Sequence, residues 1–153
     1  MEGTSAGTKV AIVTGAASGI GRATAERLQR LGFLLALADI AADRLHEAEH
    51  ELAAGGSVLS IVTDVADIAS CRGLMAAVHE RFGRIDVVVN SAGVCRPGAP
   101  DAVSDADVEL ELRVNLFGVI NATRAVLPIM RRQNYGHIVS IASLAALTPL
   151  PGE

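Results

Sequence analysis

Three glycines, Gly15, Gly19 and Gly21, lie between a largely apolar segment and a segment with helical periodicity. Residues 9–13 are rich in β-branched side chains, which is typical of a buried strand, whereas residues 22–31 predict an amphipathic helix. A helix N-terminus offers free backbone N–H groups, and glycine lets an anion approach the backbone closely. The spacing therefore predicts a phosphate-binding loop, with an ordinary glycine-containing loop as the alternative.

An acidic residue ends the second predicted strand. Residues 33–38 are apolar, and Asp39 follows them, 18 residues after Gly21. A carboxylate at this position could accept hydrogen bonds from the hydroxyls of an adenosine ribose. The alternative is that Asp39 caps the next helix, although Asp43 could also serve that helix start. Together with the glycines, Asp39 favours a dinucleotide site.

Strand and helix patterns alternate along the whole chain. Strands are predicted at 9–13, 33–38, 57–62, 85–89 and 136–141, and helices at 22–31, 41–54, 67–82 and 104–133, with Ser104 and Asp107 suited to cap the last helix and Pro128 expected to kink or shorten it. This order predicts one domain with a doubly wound parallel sheet of the Rossmann type, preceded by a flexible tail at residues 1–8. The ligand should bind beyond the carboxyl ends of the strands, where Gly15, Asp39, Asp64, Asn90 and Ser143 all fall.

The composition limits the classes of protein to which this chain can belong. Its 153 residues suffice for one domain, and half of them are hydrophobic with only 3% aromatic, which suits a sheet covered on both faces. A net charge of −4 without a basic block argues against a nucleic acid partner. No signal peptide or apolar run of transmembrane length is apparent, and Cys71 and Cys95 are expected to be reduced thiols. We therefore expect a cytoplasmic protein.

Residues 46–50, His-Glu-Ala-Glu-His, match the H-E-x-x-H pattern of zinc proteases. The buried stripe of this helix is defined by Leu45, Ala48 and Leu52, so the two histidines are expected at the rim or in solvent. No third ligand is apparent. We interpret the segment as a solvated helix face and predict no metal site.

Three short segments resemble motifs of the short-chain dehydrogenase/reductase family, and the resemblance covers residues 9–143. Residues 14–21 are similar to its T-G-x-x-x-G-x-G cofactor loop, residues 90–93 to its N-N-A-G element with Ser91 in the second place, and residues 64–65 to a pair that contacts adenine. The resemblance implies a cofactor site made of Thr14, Gly15, Ala17, Ser18, Gly19, Ile20, Gly21, Asp39, Asp64, Val65, Asn90, Ser91, Ala92 and Gly93.

Two further segments of the resemblance, residues 114–118 and 138–143, correspond to those that carry catalytic side chains in the family. The resemblance implies that Asn115 distorts its helix and holds a water molecule of the proton relay. It also implies that Ser143 binds the substrate oxygen and stabilises developing charge. From the residues alone, Asn115 could instead be a core amide bonded to backbone, and Ser143 a loop hydroxyl with Ser140 as its competitor.

The acid–base pair of the family, a Tyr followed four residues later by a Lys, is not present in this sequence. Tyr135 and Lys9 are its one Tyr and one Lys, and both lie at the start of predicted strands, away from the expected cleft. By resemblance the Tyr would follow Ser143 by about a dozen residues, beyond Glu153. We therefore expect a C-terminally incomplete portion of such an enzyme that is inactive alone.

The resemblance implies an NAD(P)-dependent oxidoreductase that transfers a hydride between NAD and an alcohol or carbonyl substrate. NAD is favoured over NADP because Asp39 would repel a 2′-phosphate, and because Ala17, Ser18 and Ile40 offer no positive charge. The alternative is a truncated, non-catalytic dinucleotide-binding or interaction module that pairs through its long helix. We further expect a homo-oligomer at full length, with no nucleic acid or membrane partner.

Overall fold

The structure, a computed structural model, describes residues 8–99 and 101–148. The strands are β1 (Val10–Thr14), β2 (Leu34–Asp39), β3 (Val58–Val62), β4 (Val87–Asn90) and β5 (His137–Ser140). The helices are α1 (Gly19–Arg30), α2 (Ala42–Ala53), α3 (Ile68–Phe82), α4 (Asp105–Glu111) and α5 (Gly118–Gln133). A π-helical segment (Leu112–Phe117) joins α4 to α5, and a 3₁₀ turn (Leu144–Ala146) follows β5. The tail expected at residues 1–8 lies outside the described residues, apart from Thr8.

All five strands are parallel and follow the order β3-β2-β1-β4-β5. The central strand is β1, in which Val13 pairs with Leu37 on one side and Val89 on the other. From β1 the chain continues to β2 and β3 on one side of the sheet. It then returns and forms β4 and β5 on the other side of β1. This reversal separates the loops beyond β1 and β4 and leaves a crevice there. The prediction of a doubly wound parallel sheet is confirmed.

Side chains of β1 alternate between two apolar cores, one on each face of the sheet. Val10 and Ile12 pack in the core that α3 and α5 cover, whereas Ala11 and Val13 pack in the core that α1 and α2 cover. All four side chains are fully buried. A strand covered on both faces must be apolar at each position, which explains the uninterrupted apolar runs of the sequence.

Polar side chains fix the beginnings of α3 and α4. The Asp67 carboxylate accepts hydrogen bonds from the N–H groups of Ala69 and Ser70, both at 3.0 Å. Ser104 Oγ accepts one from the N–H of Asp107 at 3.2 Å, as the sequence predicted for this helix start. These bonds satisfy N–H groups that have no partner within the helix.

The long helix predicted over residues 104–133 is interrupted by the π-helical segment, in which Asn115 lies. Single π-helical turns within α-helices are frequently found at functional sites. Pro128 was expected to kink or shorten this helix, and it does not shorten it, because α5 continues through Pro128 to Gln133. None of the helices in the described ranges has the length and apolar character needed to cross a membrane.

Candidate functional site

A cleft with a volume of about 480 Å³ opens at the carboxyl edge of the sheet. Its walls come mainly from the loops that follow β1, β2, β3 and β4. The lining residues are Gly15, Ser18, Gly19, Ile20, Gly21, Ala38, Asp39, Ile40, Arg44, Thr63, Asp64, Val65, Ser91, Ala92, Gly93, Val94, Leu110, Val114 and Ile141. Of the predicted cofactor residues in the described chain, all but Thr14, Ala17 and Asn90 line the cleft.

The three glycines of the loop after β1 have different roles. Gly15 has a φ of +67°, and a Cβ atom on it would lie 2.8 Å from the Ala92 Cα atom. A Cβ atom on Gly21 would lie 2.7 Å from the carbonyl carbon of Gly15. Gly19 has a φ of +53°, but a Cβ atom there would meet nothing within 4 Å. Gly15 and Gly21 therefore permit close backbone packing, whereas Gly19 keeps space open beside the cleft.

The N-terminus of α1 faces this cleft without a capping side chain. Ser18 is the N-cap residue, with an extended backbone and no side-chain cap hydrogen bond, and the first turn of α1 contains no acidic residue. The first N–H groups of the helix, including those of Gly19 and Ile20, are therefore available to a ligand. Because these groups and the helix dipole favour negative charge, the site suits an anion such as a pyrophosphate.

Thr14 connects two loops behind the cleft. Its Oγ1 accepts hydrogen bonds from the N–H groups of Ser91 and Ala92, both at 3.1 Å, and donates one to the Val89 carbonyl at 3.4 Å. The side chain is 1% exposed. One hydroxyl thus holds the loop after β4 against the end of β1, so Thr14 positions the cleft wall.

Asp39 links the glycine loop to the start of α2. Its Oδ2 accepts a hydrogen bond from the N–H of Ala17, and its Oδ1 accepts one from the N–H of Ala41, each at 3.0 Å. The N-cap residue of α2 is Ala41, which makes no side-chain cap hydrogen bond. Each carboxylate oxygen retains capacity for a further hydrogen bond, and Asp39 lines the cleft. This arrangement fits a ligand that donates hydroxyl groups.

Asp64 and Val65 line the next part of the cleft. The carbonyl of Val65 accepts a hydrogen bond from Asn121 Nδ2 at 3.0 Å, and the Cys71 thiol contacts the same oxygen at 3.6 Å. Burial raises the pKa of the Cys71 thiol to about 11, and the charges of Asp67 and Asp64 contribute to the same shift. Cys71 is therefore a neutral packing residue, while Asn121 fixes the backbone of the cleft wall.

Asn90 connects β4 to β5 from a buried position. Its Nδ2 donates a hydrogen bond to Ser140 Oγ at 3.3 Å, and its backbone carbonyl accepts one from the N–H of Ile141 at 2.9 Å. The side chain is 4% exposed, and its Oδ1 has no hydrogen-bond partner among the described residues. Asn90 thus holds together the two strands from which Ser91 and Ile141 extend into the cleft wall.

Asn115 binds the loop after β4 with both atoms of its amide. Its Oδ1 accepts a hydrogen bond from the N–H of Val94 at 2.9 Å, and its Nδ2 donates one to the Val94 carbonyl at 2.7 Å. Val94 and Val114 line the cleft, and Asn115 lies directly beside them at an exposed position. The amide is thus bonded to backbone, but to backbone of another segment and outside the core.

The hydroxyl groups of Ser143 and Ser140 each accept one hydrogen bond, but from different parts of the chain. Ser140 Oγ accepts the hydrogen bond from Asn90 within the sheet. Ser143 lies beyond the end of β5, is exposed, and its Oγ accepts a hydrogen bond from the N–H of Ala145 at 3.1 Å. Among the described residues the Ser143 hydroxyl donates no hydrogen bond, so its proton is available to a bound ligand. It follows Ile141, a residue of the cleft wall, by two positions.

The sequence's Tyr and Lys lie together at the opposite, amino edge of the sheet. Lys9 Nζ is 5.7 Å from the centre of the Tyr135 ring, and this ring meets the His137 ring edge to face at 5.5 Å. Lys9 immediately precedes β1, Tyr135 lies two positions before β5, and His137 is the first residue of β5. Because all strands are parallel, the cleft is at the other ends of these strands.

The His-Glu-Ala-Glu-His segment contacts an edge strand. His46 is exposed, with its Nδ1 3.7 Å from Glu49 Oε2. The Glu49 carboxylate accepts hydrogen bonds from the N–H of Ser60 at 3.3 Å and from Ser60 Oγ at 2.6 Å. Across residues 8–99 and 101–148, His, Cys, Asp and Glu side chains form no group of three or more that could hold a metal ion. Glu49 therefore binds the free edge of β3.

The cleft also contains residues that sequence reasoning did not assign. Thr63 and Val94 directly flank predicted residues, so their sequence position could have indicated them. Leu110 and Arg44 come from α4 and α2, and no motif marks them. Most of these residues are apolar, but Arg44 adds a cation near Asp39 in the same wall. The residues concerned are Ala38, Ile40, Arg44, Thr63, Val94, Leu110, Val114 and Ile141.

The sequence model of the family described as short chain dehydrogenase matches residues 9–153. The (2S)-[(R)-hydroxy(phenyl)methyl]succinyl-CoA dehydrogenase subunit of Thauera aromatica is 39% identical over 91% of this chain and 56% of its own length. The 2-(R)-hydroxypropyl-CoM dehydrogenase of Xanthobacter autotrophicus is 41% identical over 95% of this chain and 60% of its own length. The chain thus spans a little over half the length of these relatives.

Solved structures show the same similarity. A short chain dehydrogenase/reductase from Burkholderia phymatum, in complex with NAD, has a TM-score of 0.92 and 40% identity, over 95% of this chain and 52% of that one. An alcohol dehydrogenase from Thermococcus sibiricus, complexed with 5-hydroxy-NADP, has a TM-score of 0.89 and 35% identity, over 95% of this chain and 62% of that one.

Proposed function

Because the chain belongs to the short-chain dehydrogenase family, we propose that its cleft binds NAD(H) and that the whole protein transfers a hydride between NAD and an alcohol or carbonyl substrate. The relatives that match it include two proteins named as dehydrogenases and one named as an oxidoreductase. Two of the similar solved structures contain NAD, and a third contains an NADP derivative. These comparisons support the reaction class and leave the substrate open.

The observation that carries this proposal is that the uncapped N-terminus of α1 and the Asp39 carboxylate line one cleft. A dinucleotide needs N–H donors for its pyrophosphate and an acceptor for its adenosine ribose. The glycine loop supplies the first, and Asp39 supplies the second. Apolar side chains of the same cleft, such as Ile40 and Val65, offer a surface for the adenine ring.

Titration of the chain with NADH, followed by the fluorescence of the nicotinamide, tests this proposal. We expect saturable binding that 5′-AMP competes away, because adenosine and phosphate carry much of the recognition. Gly19→Glu should abolish binding by placing a carboxylate beside the helix N-terminus. Gly32→Glu is the matched control: Gly32 also has a positive φ and open space around it, but it lies in the turn before β2. Equal losses in both variants would contradict the proposal.

We propose that Ser143 and Asn115 act on the substrate side of the cleft. The nicotinamide, when bound, accepts or supplies the hydride. The Ser143 hydroxyl would donate a hydrogen bond to the substrate oxygen and stabilise charge that develops on it. Asn115 holds the backbone of Val94 and so fixes the adjoining wall of the cleft. Asn115 is therefore a positioning residue, and Ser143 touches the reacting group.

We further propose that the chain of 153 residues binds NAD(H) without turning over a substrate. Oxidation of an alcohol requires a base that takes the hydroxyl proton as the hydride leaves. Tyr135, Lys9 and His137 lie at the amino edge, away from Ser143. An assay of NADH formation with a panel of secondary alcohols should give no turnover with this chain. Turnover that Ser143→Ala leaves unchanged would contradict both this proposal and the role of Ser143.

A second candidate function is self-association through the long helix, and one observation favours it. Three large apolar side chains of the π-helical segment, Leu112, Leu116 and Phe117, are 50–51% exposed. Exposed apolar side chains that lie together often mark an interface. Sedimentation of the chain should then reveal a dimer that Phe117→Ser weakens. A stable monomer at high concentration would exclude this candidate.

A further inference from the structure

Asn121, in the first turn of α5, binds the backbone of the cleft wall. Its Nδ2 donates a hydrogen bond to the Val65 carbonyl at 3.0 Å. Val65 lines the cleft and is 8% exposed, whereas Asn121 is partly buried and does not line the cleft itself. No sequence motif marks Asn121. Any effect of this amide on a bound ligand must therefore pass through Val65.

Helix α5 approaches Val65 closely at this point. Gly118 lies three positions before Asn121, so the two residues share one face of the helix. A Cβ atom on Gly118 would lie 2.7 Å from the Val65 Cγ2 atom. The glycine thus lets α5 lie near enough for the short side chain of Asn121 to reach the carbonyl. The Cys71 thiol contacts the same oxygen at 3.6 Å and is a weaker donor, so Asn121 makes the stronger bond.

The peptide group that Asn121 holds also contacts Asp64. The Val65 carbonyl and the Ala66 N–H belong to one planar peptide group, and this N–H donates a hydrogen bond to Asp64 Oδ1 at 2.9 Å. Rotation of the peptide away from Asn121 would therefore disturb the bond to Asp64 as well. Asp64 lines the cleft, and its Oδ2 accepts no hydrogen bond from the described residues. This second oxygen is available to a donor on a ligand.

We propose that Asn121 is a positioning residue of the cofactor site, which acts through the Val65–Ala66 peptide to hold the Asp64 carboxylate for the 6-amino group of adenine. This inference rests on the proposed function. A carboxylate accepts hydrogen bonds and donates none, so it favours a base that carries an amino group. Hypoxanthine has a carbonyl oxygen at the same position, which a carboxylate repels. Asn121 therefore affects which purine the cleft prefers.

Competition of 5′-AMP and 5′-IMP against NADH, followed by the fluorescence of the nicotinamide, tests this inference. The two nucleotides share the ribose and the phosphate and differ at position 6 of the base. We expect the wild type to bind 5′-AMP about tenfold more tightly than 5′-IMP, which lacks the hydrogen bond to the carboxylate. Asn121→Asp removes the N–H donor at nearly constant size and should reduce this preference to about twofold. Asn121→Ala, which adds no charge, should reduce it similarly.

Gln133→Glu is the matched control, because Gln133 is another amide of α5 that holds a backbone carbonyl. Its Nε2 donates to the carbonyl of Ile85 at 2.8 Å, at the amino edge of the sheet. The substitution removes this donor and keeps the Oε1 acceptor for the N–H of Ile85. We expect Gln133→Glu to lower the free energy of unfolding and to keep the wild-type preference for 5′-AMP.

The ratio of 5′-AMP to 5′-IMP affinity decides the outcome, because a loss of folded protein alone would lower both affinities equally. An unchanged ratio in the folded Asn121 variants, or an equal fall of the ratio in Gln133→Glu, would overturn the role of Asn121. Equal binding of the two nucleotides by the wild type would also overturn it and leave the proposed function intact. If the wild type binds neither NADH nor 5′-AMP, the proposed function fails, and this inference fails with it.

Discussion

The two edges of the sheet both contain polar groups, but the Asp86 carboxylate and the Gln133 amide at the amino edge are paired within the protein. At the amino edge, Asp86 is fully buried, accepts a hydrogen bond from the N–H of Val10 at 2.8 Å, and binds Arg84 through both oxygens. Gln133 binds the N–H and the carbonyl of Ile85 at 2.9 and 2.8 Å. These partners belong to the protein itself.

The carboxyl edge is built differently. The first turn of α1 has no capping side chain, Asp39 retains acceptor capacity, and the Ser143 hydroxyl retains its proton. Internal hydrogen bonds at this edge, such as those of Thr14, hold loops in place behind the cleft. The amino edge thus contributes mainly to stability, whereas the carboxyl edge has donors and acceptors that can form hydrogen bonds with a ligand.

The largest effect on stability is expected at the amino edge, from Asp86→Ala. This change leaves the buried N–H of Val10 without an acceptor and Arg84 without its partner, whose hydrogen bond raises the pKa of Arg84. We expect the free energy of unfolding, measured in urea, to fall by about 3 kcal/mol. Asp86→Asn, which keeps an acceptor, should cost less. The NADH affinity of the folded protein should stay unchanged in both variants. A selective loss of NADH binding would show that the amino edge contributes to the cofactor site as well as to stability.

A smaller loss of stability with a larger effect on binding is expected from Thr14→Val. The valine keeps the shape of the side chain but removes the acceptor for the N–H groups of Ser91 and Ala92. Unfolding in urea should show a loss of about 2 kcal/mol, together with weaker NADH binding. Thr14→Ser retains the hydroxyl and should restore the affinity. If Thr14→Val binds NADH normally, the loop after β4 does not need this anchor.

Asn115→Ala should have a still smaller effect on stability. The lost hydrogen bonds to Val94 are at an exposed site, so the free energy of unfolding should fall by about 1 kcal/mol or less. Hydrogen exchange should accelerate at the N–H of Val94, which loses its acceptor. Asn115→Asp keeps that acceptor and should preserve the protection. Unchanged exchange in Asn115→Ala would show that the amide does not hold this loop.

The smallest effect on stability is expected at the thiols. Cys71 and Cys95 differ in burial. Cys71 is buried with a pKa raised to about 11, so iodoacetamide at pH 8 should label the exposed Cys95 and leave Cys71 unmodified. In the folded protein the raised pKa favours the neutral thiol of Cys71. The contribution of this thiol to the free energy of unfolding is therefore complete below pH 9.0 and is lost as the pH rises towards 11. Cys71→Ala should reduce that alkaline sensitivity. Rapid labelling of Cys71 in the native protein would contradict its assignment to the core.

The sequence predicted the sheet because its central strands are covered on both faces, so β1 and β2 are apolar up to their last residues. The glycine loop and Asp39 were predictable because they follow strand ends directly. Arg44 and Leu110 were not predictable, since they come from helices and reach the cleft only through tertiary packing. The anchoring role of Thr14 was equally hidden, because its partners Ser91 and Ala92 are more than 70 positions away in the chain.

The most direct test of the account is to map NADH binding by the backbone amide chemical shifts of the isotopically labelled chain. The account predicts saturable shifts at the carboxyl edge, in residues 15–21, at Asp39 and in residues 91–94. It predicts no comparable shifts at the amino edge, around Lys9, Asp86 and His137. Saturable shifts centred on the amino edge, or no saturable shifts at either edge, would contradict the assignment of the cleft as a dinucleotide site.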